Sequence, residues 1–114
     1  MSTLPNLLER HCAHGAPALD AAAVAALHAQ VPDWSIDGDA LARRFAFRDF
    51  HETMAFVNAL AWIAHREDHH PDLHVGYDRC TVRFTTHSAG NALSANDFIC
   101  AARTDALFAQ GSAT

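Results

Sequence analysis

The sequence predicts an α+β domain: one four-stranded antiparallel sheet with helices packed on one face, in the order α-β-β-α-β-β-α. Two observations carry that expectation. Two stretches of alternating polarity, each split by turn residues, read as hairpins, and a long stretch between them has apolar residues at helical spacing. Further helical stretches at either end supply apolar faces that a single sheet can cover.

Residues 1–17 show no clean periodicity and end in "HGAP". They read as an N-terminal arm, mobile or folded into a short extra helix, ahead of a single domain over 18–110 and a tail over 111–114. "LDAAAVAALHAQV" is the first helix, capped by Asp20 and stopped by Pro32. In "WSIDGDALARRFAF" the Asp37-Gly38 pair marks a hairpin, with Leu41, Arg43, Phe45 and Phe47 on one face. Arg43 shares that apolar face. It either reaches an anionic partner or snorkels past a sheet edge, and snorkelling is the expectation.

The clearest helix runs from about Phe50 to Glu67. Its stripe of Phe56, Val57, Leu60, Ile63 and Ala64 predicts core, while Met54 and Trp62 lie off the stripe on a candidate subunit contact. Pro71 restricts His70, so the helix should end near His69. "LHVGY" and "CTVRFTTH" form the second hairpin, with Val82, Phe84 and Thr86 facing one way and Thr81, Arg83, Thr85 and His87 the other. Ser94 followed by Asp97 is the start of a capping box for the last helix.

The chain has 114 residues, a formal net charge of -5 and no Lys, so it lacks the positive footprint that nucleic acid binding requires. No apolar stretch approaches the roughly 20 residues that span a bilayer. No basic segment followed by an apolar run marks a signal peptide. Cys12, Cys80 and Cys100 form no CxxC pair and fit free thiols in a reducing cytoplasm, with Cys80 and Cys100 buried.

His65, His69, His70, His74 and His87 make five of the nine histidines. Three readings compete for them. His65 and His69 stand at i and i+4, the spacing of helical zinc pairs, but a third ligand would have to come from His87 or Asp97, and Glu67 is misplaced for an HExxH base. Alternatively, histidines at a helix end are favoured by its dipole and are simply solvated. The third reading is acid–base chemistry, in which one imidazole protonates a departing hydroxyl while another removes a neighbouring proton.

"HREDHHPDLHVGYDRCTVRFTTHSAGNALSANDF" resembles the signature of the pterin-4a-carbinolamine dehydratases, the DCoH-type family. The matching positions are His65, His69-His70-Pro71, Tyr77, His87 and Asp97, and the likeness extends upstream through "PDWSIDGDALARRFAFRDFHETMAFVNALAWIA" to cover roughly residues 19–108. It implies removal of water from 4a-hydroxytetrahydropterin to give quinonoid dihydropterin, the recycling step for the pterin of aromatic amino acid hydroxylases. It further implies His69 and His87 as catalytic groups and His70 and Asp97 as substrate-binding groups. No metal or organic cofactor is implied, and the assembly would be a homodimer or homotetramer. An alternative within the same likeness is a scaffold module that keeps the fold and acts through a protein partner.

Three positions depart from the pattern. His65 stands where many members have Glu, Leu73 where the animal branch often has Trp, and the segment between His87 and Asp97 is one residue longer than usual. The last puts the placement of Asp97 in question, and its capping-box position gives it a structural task of its own. Tyr77 is expected to pack on the sheet.

Overall fold

A computed structural model describes residues 6–112, with side chains through Gly111; the outer ends of the expected arm and tail, residues 1–5 and 113–114, lie outside the described residues. Helix α1 (Ala21–His28) begins where the Asp20 carboxylate accepts the Ala23 amide at 2.8 Å. A hairpin of β1 (Ser35–Asp37) and β2 (Ala40–Ala46) follows, turning at Gly38, whose φ of 61° suits a residue without Cβ. Helix α2 (Phe50–Glu67) leads to the second hairpin, β3 (Asp72–Val75) and β4 (Arg79–Phe84). Helix α3 (Ala95–Ser112) closes the chain. The four-stranded sheet is antiparallel, as the alternating runs predict, and its strands lie in the order β1-β2-β4-β3.

Register decides which face is core. Leu41 pairs with Phe84, Arg43 with Val82 and Phe45 with Cys80, so these side chains share one face. All but Arg43 are buried there under α2 and α3. The intervening pairs, Ala42 with Arg83, Arg44 with Thr81 and Ala46 with Arg79, form the opposite face. Trp34 anchors the core, edge-on to Phe45 at 5.9 Å and tilted against Phe84 at 5.8 Å.

Arg43 does not snorkel. Its guanidinium donates to Asp105 of α3 at 2.7 Å and lies over the rings of Phe45 and Phe108. The anionic partner is therefore inside the chain. Asp105 also accepts the Trp34 indole N–H at 2.7 Å, so one carboxylate ties β2, α3 and the core tryptophan together.

The stripe on α2 is longer than the apolar residues alone indicate. Thr53, Phe56, Leu60, Ala64 and Glu67 are all buried, which places a carboxylate at the end of a core-facing row. Residues 6–16 also pack on the domain. Leu7, in a 3-10 turn over Leu7–Glu9, belongs to the core cluster, and α3 is its main neighbour. Burying one leucine contributes about 1.5–3 kcal/mol. That offsets the ordering of only a residue or two at about 1–2 kcal/mol each, so the remainder of the segment needs further anchors.

Candidate active site

The end of α2 aims the histidines. Asp68 adopts the left-handed conformation (φ 51°), its amide reaches the His65 carbonyl, and the His69 amide reaches back to Ala64 at 3.2 Å. This is a Schellman ending, and Pro71 stands two residues beyond His69. Helical periodicity therefore stops before His69. His65 stays exposed against Trp62, whereas His69 is buried and stacked on Phe84 at 5.8 Å and 11°. The i,i+4 metal pair does not form because its second member is no longer on the helix. Among the described residues no three metal-ligating side chains converge.

His69 Nε2 lies 2.6 Å from Asp97 Oδ1, and Asp97 has no exposed surface. The other carboxylate oxygen, Oδ2, accepts the Ser94 amide at 2.9 Å and the Thr86 hydroxyl at 2.8 Å. Ser94 Oγ in turn accepts the Asn96 amide at 3.2 Å, so of the capping box read from Ser94 and Asp97 the carboxylate half is formed, while the serine caps the second helical amide in place of the third. Hydrogen direction follows from what each group can give. The single Thr86 hydroxyl hydrogen goes to the carboxylate, so at 2.7 Å the Ser94 hydroxyl donates to Thr86. Asp97 is then an acceptor at both oxygens. It fixes the hydrogen of His69 on Nε2 and leaves Nδ1 as the ring's other working atom.

His87 lies beyond β4, in a 3-10 turn over His87–Ala89, rather than at the strand's end. Strand alternation would send it to the face opposite Thr86; leaving the strand lets Thr85, Thr86 and His87 line one cavity. Its Nδ1 meets the Asn91 side-chain oxygen at 2.7 Å, which places the Nδ1 hydrogen there and leaves a lone pair on Nε2. Asn91 (φ 55°) and Gly90 (φ 75°) are both left-handed. The loop before Asp97 thus folds into a tight reversal, and Asp97 reaches His69.

The cavity holds about 400 Å³, and His69, His70 and His87 all line it. His74 and Tyr77 do not; Tyr77 stacks on Phe50 at 6.5 Å, out on the surface. Asp97 does not line it either. The substrate contact expected of Asp97 meets a side chain that lies behind His69 with both oxygens occupied.

Sequence reasoning missed one wall altogether. Residues Cys12–Gly15 border the cavity, held across the gap between α2 and α3. Glu67 accepts the Cys12 amide at 2.8 Å and pairs with His11 Nδ1 at 2.9 Å. Asn96 both accepts from the Ala13 amide at 3.0 Å and donates to its carbonyl at 2.9 Å. Arg103 donates to the Arg10 carbonyl at 2.5 Å. Burial pushes the Glu67 carboxyl upward, but the Cys12 amide, the His11 hydrogen bond and the Arg103 charge outweigh it and hold Glu67 below the usual glutamate range. A charged residue three positions after Ala64, on the apolar row, was the one available signal; nothing in the sequence singles out Asn96.

Comparison with known proteins gives one consistent result. The family described as pterin 4 alpha carbinolamine dehydratase matches residues 17–107. A protein of Stenotrophomonas maltophilia (strain K279a), named "Putative pterin-4-alpha-carbinolamine dehydratase", is 62% identical over 94 residues, covering 81% of this chain and 80% of the relative. One of the same name from Chromobacterium violaceum (strain ATCC 12472) is 55% identical over 105 residues, covering 90% and 96%. Among solved structures, a "transcriptional coactivator/pterin dehydratase from Brucella Melitensis" superposes with a TM-score of 0.73 at 29% identity, over 79% of this chain and 97% of that one. A "pterin dehydratase-like protein" identified as a RuBisCO assembly factor in the alpha-carboxysome gives 0.56 at 28% identity, over 67% and 92%. With a family match over most of its length, and relatives more than half identical, this chain belongs to the pterin 4 alpha carbinolamine dehydratase family.

Proposed function

We propose that this chain is a 4a-hydroxytetrahydrobiopterin dehydratase, a hydro-lyase that removes water from 4a-hydroxytetrahydropterin to give quinonoid dihydropterin. Its place is the recycling of the pterin used by an aromatic amino acid hydroxylase. The observation that carries the reading is that His69, His70 and His87, the three histidines of the family pattern, line one cavity. A scaffold module would need only the fold, and its surface would be free to lose that grouping.

Elimination requires a proton for the departing 4a-hydroxyl and removal of the hydrogen on the neighbouring ring nitrogen. His87, which lines the cavity and keeps a lone pair on Nε2, takes the nitrogen-bound proton. His69 delivers a proton to the hydroxyl, and the Asp97 carboxylate behind it orients the ring and balances its positive charge while the proton is in transit. Between turnovers solvent returns a proton to His69 and removes one from His87, which restores both groups. His70 binds and orients the pterin. The free thiols support a cytoplasmic location, and the exposed Trp62 supports a homo-oligomer.

The test is dehydration of freshly generated 4a-hydroxytetrahydropterin followed by ultraviolet absorbance. His69→Ala and His87→Ala should each lower turnover on the order of 10²- to 10⁴-fold while the fold is kept. His70→Ala should raise KM more than it lowers kcat. A folded wild type that does not accelerate the reaction would overturn the reading in favour of the scaffold.

A further inference from the structure

We propose that Cys12 and Cys100 form an oxidisable dithiol, a modification site at which hydrogen peroxide joins them in a disulfide that pins the N-terminal segment along the cavity wall. The two sulfurs lie 3.4 Å apart, in van der Waals contact. A disulfide closes to about 2.05 Å, a change that side-chain rotation can supply once both backbones are already in place. They are in place. Glu67 holds the Cys12 amide, Asn96 grips the next residue at both backbone atoms, and Cys100 sits within α3.

The two thiols differ in access, which sets the order of events. Cys12 is partly exposed and lines the cavity, so a small oxidant reaches it first. Cys100 is fully buried, and its hydrogen bond to Cys12 together with burial holds its thiol well above the ordinary range. It therefore keeps its proton until the second step.

In the first step the Cys12 sulfur attacks one peroxide oxygen and the O–O bond breaks. The departing hydroxide takes the proton that Cys12 lost, leaving a sulfenic acid and one water. Next, the Cys100 sulfur attacks the Cys12 sulfur and the S–O bond breaks. The leaving hydroxide carries off the Cys100 proton as the second water. Two thiols and one peroxide give one disulfide and two waters, with two electrons passing from sulfur to oxygen.

The new bond would join residues 88 positions apart and tie the segment to α3 covalently. The site does not depend on which molecule the cavity takes. Cys80, buried on β4, is the internal control.

The experiment treats the reduced full-length chain with hydrogen peroxide, quenches, alkylates under denaturing conditions, and reads intact mass and peptide map. The expected result is one alkyl group, on Cys80, in place of three, a Cys12–Cys100 cross-linked peptide, and reversal by dithiothreitol. Hydrogen exchange over residues 10–15 should slow by about tenfold or more. Cys12→Ser and Cys100→Ser should each abolish the cross-link, and wild-type mapping alone decides the matter if either variant misfolds. Cys12 driven to sulfinic acid with Cys100 still alkylated, cross-links between chains, or a disulfide that leaves exchange over 10–15 unchanged would each overturn the proposal.

Discussion

Asp97 serves the helix and the site with a single carboxylate. Oδ2 accepts the Ser94 amide that begins α3, and Oδ1 accepts His69 Nε2–H. Substituting asparagine separates the tasks. In Asp97→Asn the amide oxygen can still take the Ser94 and Thr86 hydrogens, which turns the NH2 toward His69. An NH2 there demands a lone pair on Nε2, so the imidazolium that gives the proton from Nδ1 loses both the acceptor for its Nε2–H and the negative charge that balances it. The expected outcome is a kcat lower by on the order of 10²- to 10⁴-fold with KM within a few-fold of wild type. Stability should fall by only about 1 kcal/mol, the usual worth of a helix cap. Steady-state kinetics checks the split: a raised KM at unchanged kcat would mean that Asp97 touches substrate instead of positioning His69.

The N-terminal segment is an element without regular secondary structure, and its order rests on side chains from α2 and α3. Asn96→Ala removes both hydrogen bonds to Ala13, so the wall should loosen while the His69–Asp97 pair stays intact. We expect KM to rise several-fold with kcat little changed, and amide exchange over residues 10–15 to accelerate; unchanged exchange would show that the wall stands without Asn96. Glu67 adds a pH dependence whose sign is fixed. Its folded carboxyl is held below the ordinary value of about 4.3, so its contribution is fully present above that value and is lost as pH falls through the lowered one. Acid titration of wild type should thus release the segment in a window below about pH 4, a step that Glu67→Gln should lack when followed by proteolysis of residues 10–15. The hairpins, α2 and the capping box were legible because strand alternation, helical spacing and a Ser–Asp pair three apart are local signals. The segment was not, since its contacts reach from Cys12 to Glu67 and from Ala13 to Asn96, 55 and 83 positions away. The three cavity histidines were legible through family resemblance. Their orientation was not, because a left-handed Asp68 and a 3-10 turn at His87 break the periodicities from which side-chain direction is inferred.

Over the whole molecule, among the described residues, the exposed aromatic side chains lie in two places, with Leu8 and Ile36 exposed singly elsewhere. Phe50 and Tyr77 stack on each other beside the edge strand β3, where Leu73 and Val75 are also exposed. Trp62 is 74% exposed on α2. Twelve residues separate Phe50 from Trp62 on the helix, about 18 Å along its axis and about 120° around it, so one flat contact cannot cover both. A dimer made through either patch would leave the other in water. Two distinct two-fold interfaces give a closed tetramer of dihedral symmetry, which satisfies both. The β3 edge also offers unpaired backbone groups that a second copy can extend as sheet, whereas Trp62 offers only a side-chain contact. The Trp62 interface should therefore be the weaker. Wild type is expected to sediment as a tetramer and Trp62→Glu as a dimer, since a carboxylate cannot be buried there unpaired. The variant's far-ultraviolet circular dichroism should match wild type because Trp62 stands mostly in solvent. A variant that still sediments as a tetramer would place the second interface away from Trp62; one that falls to monomer would make α2 the primary contact and the β3 edge dependent on it.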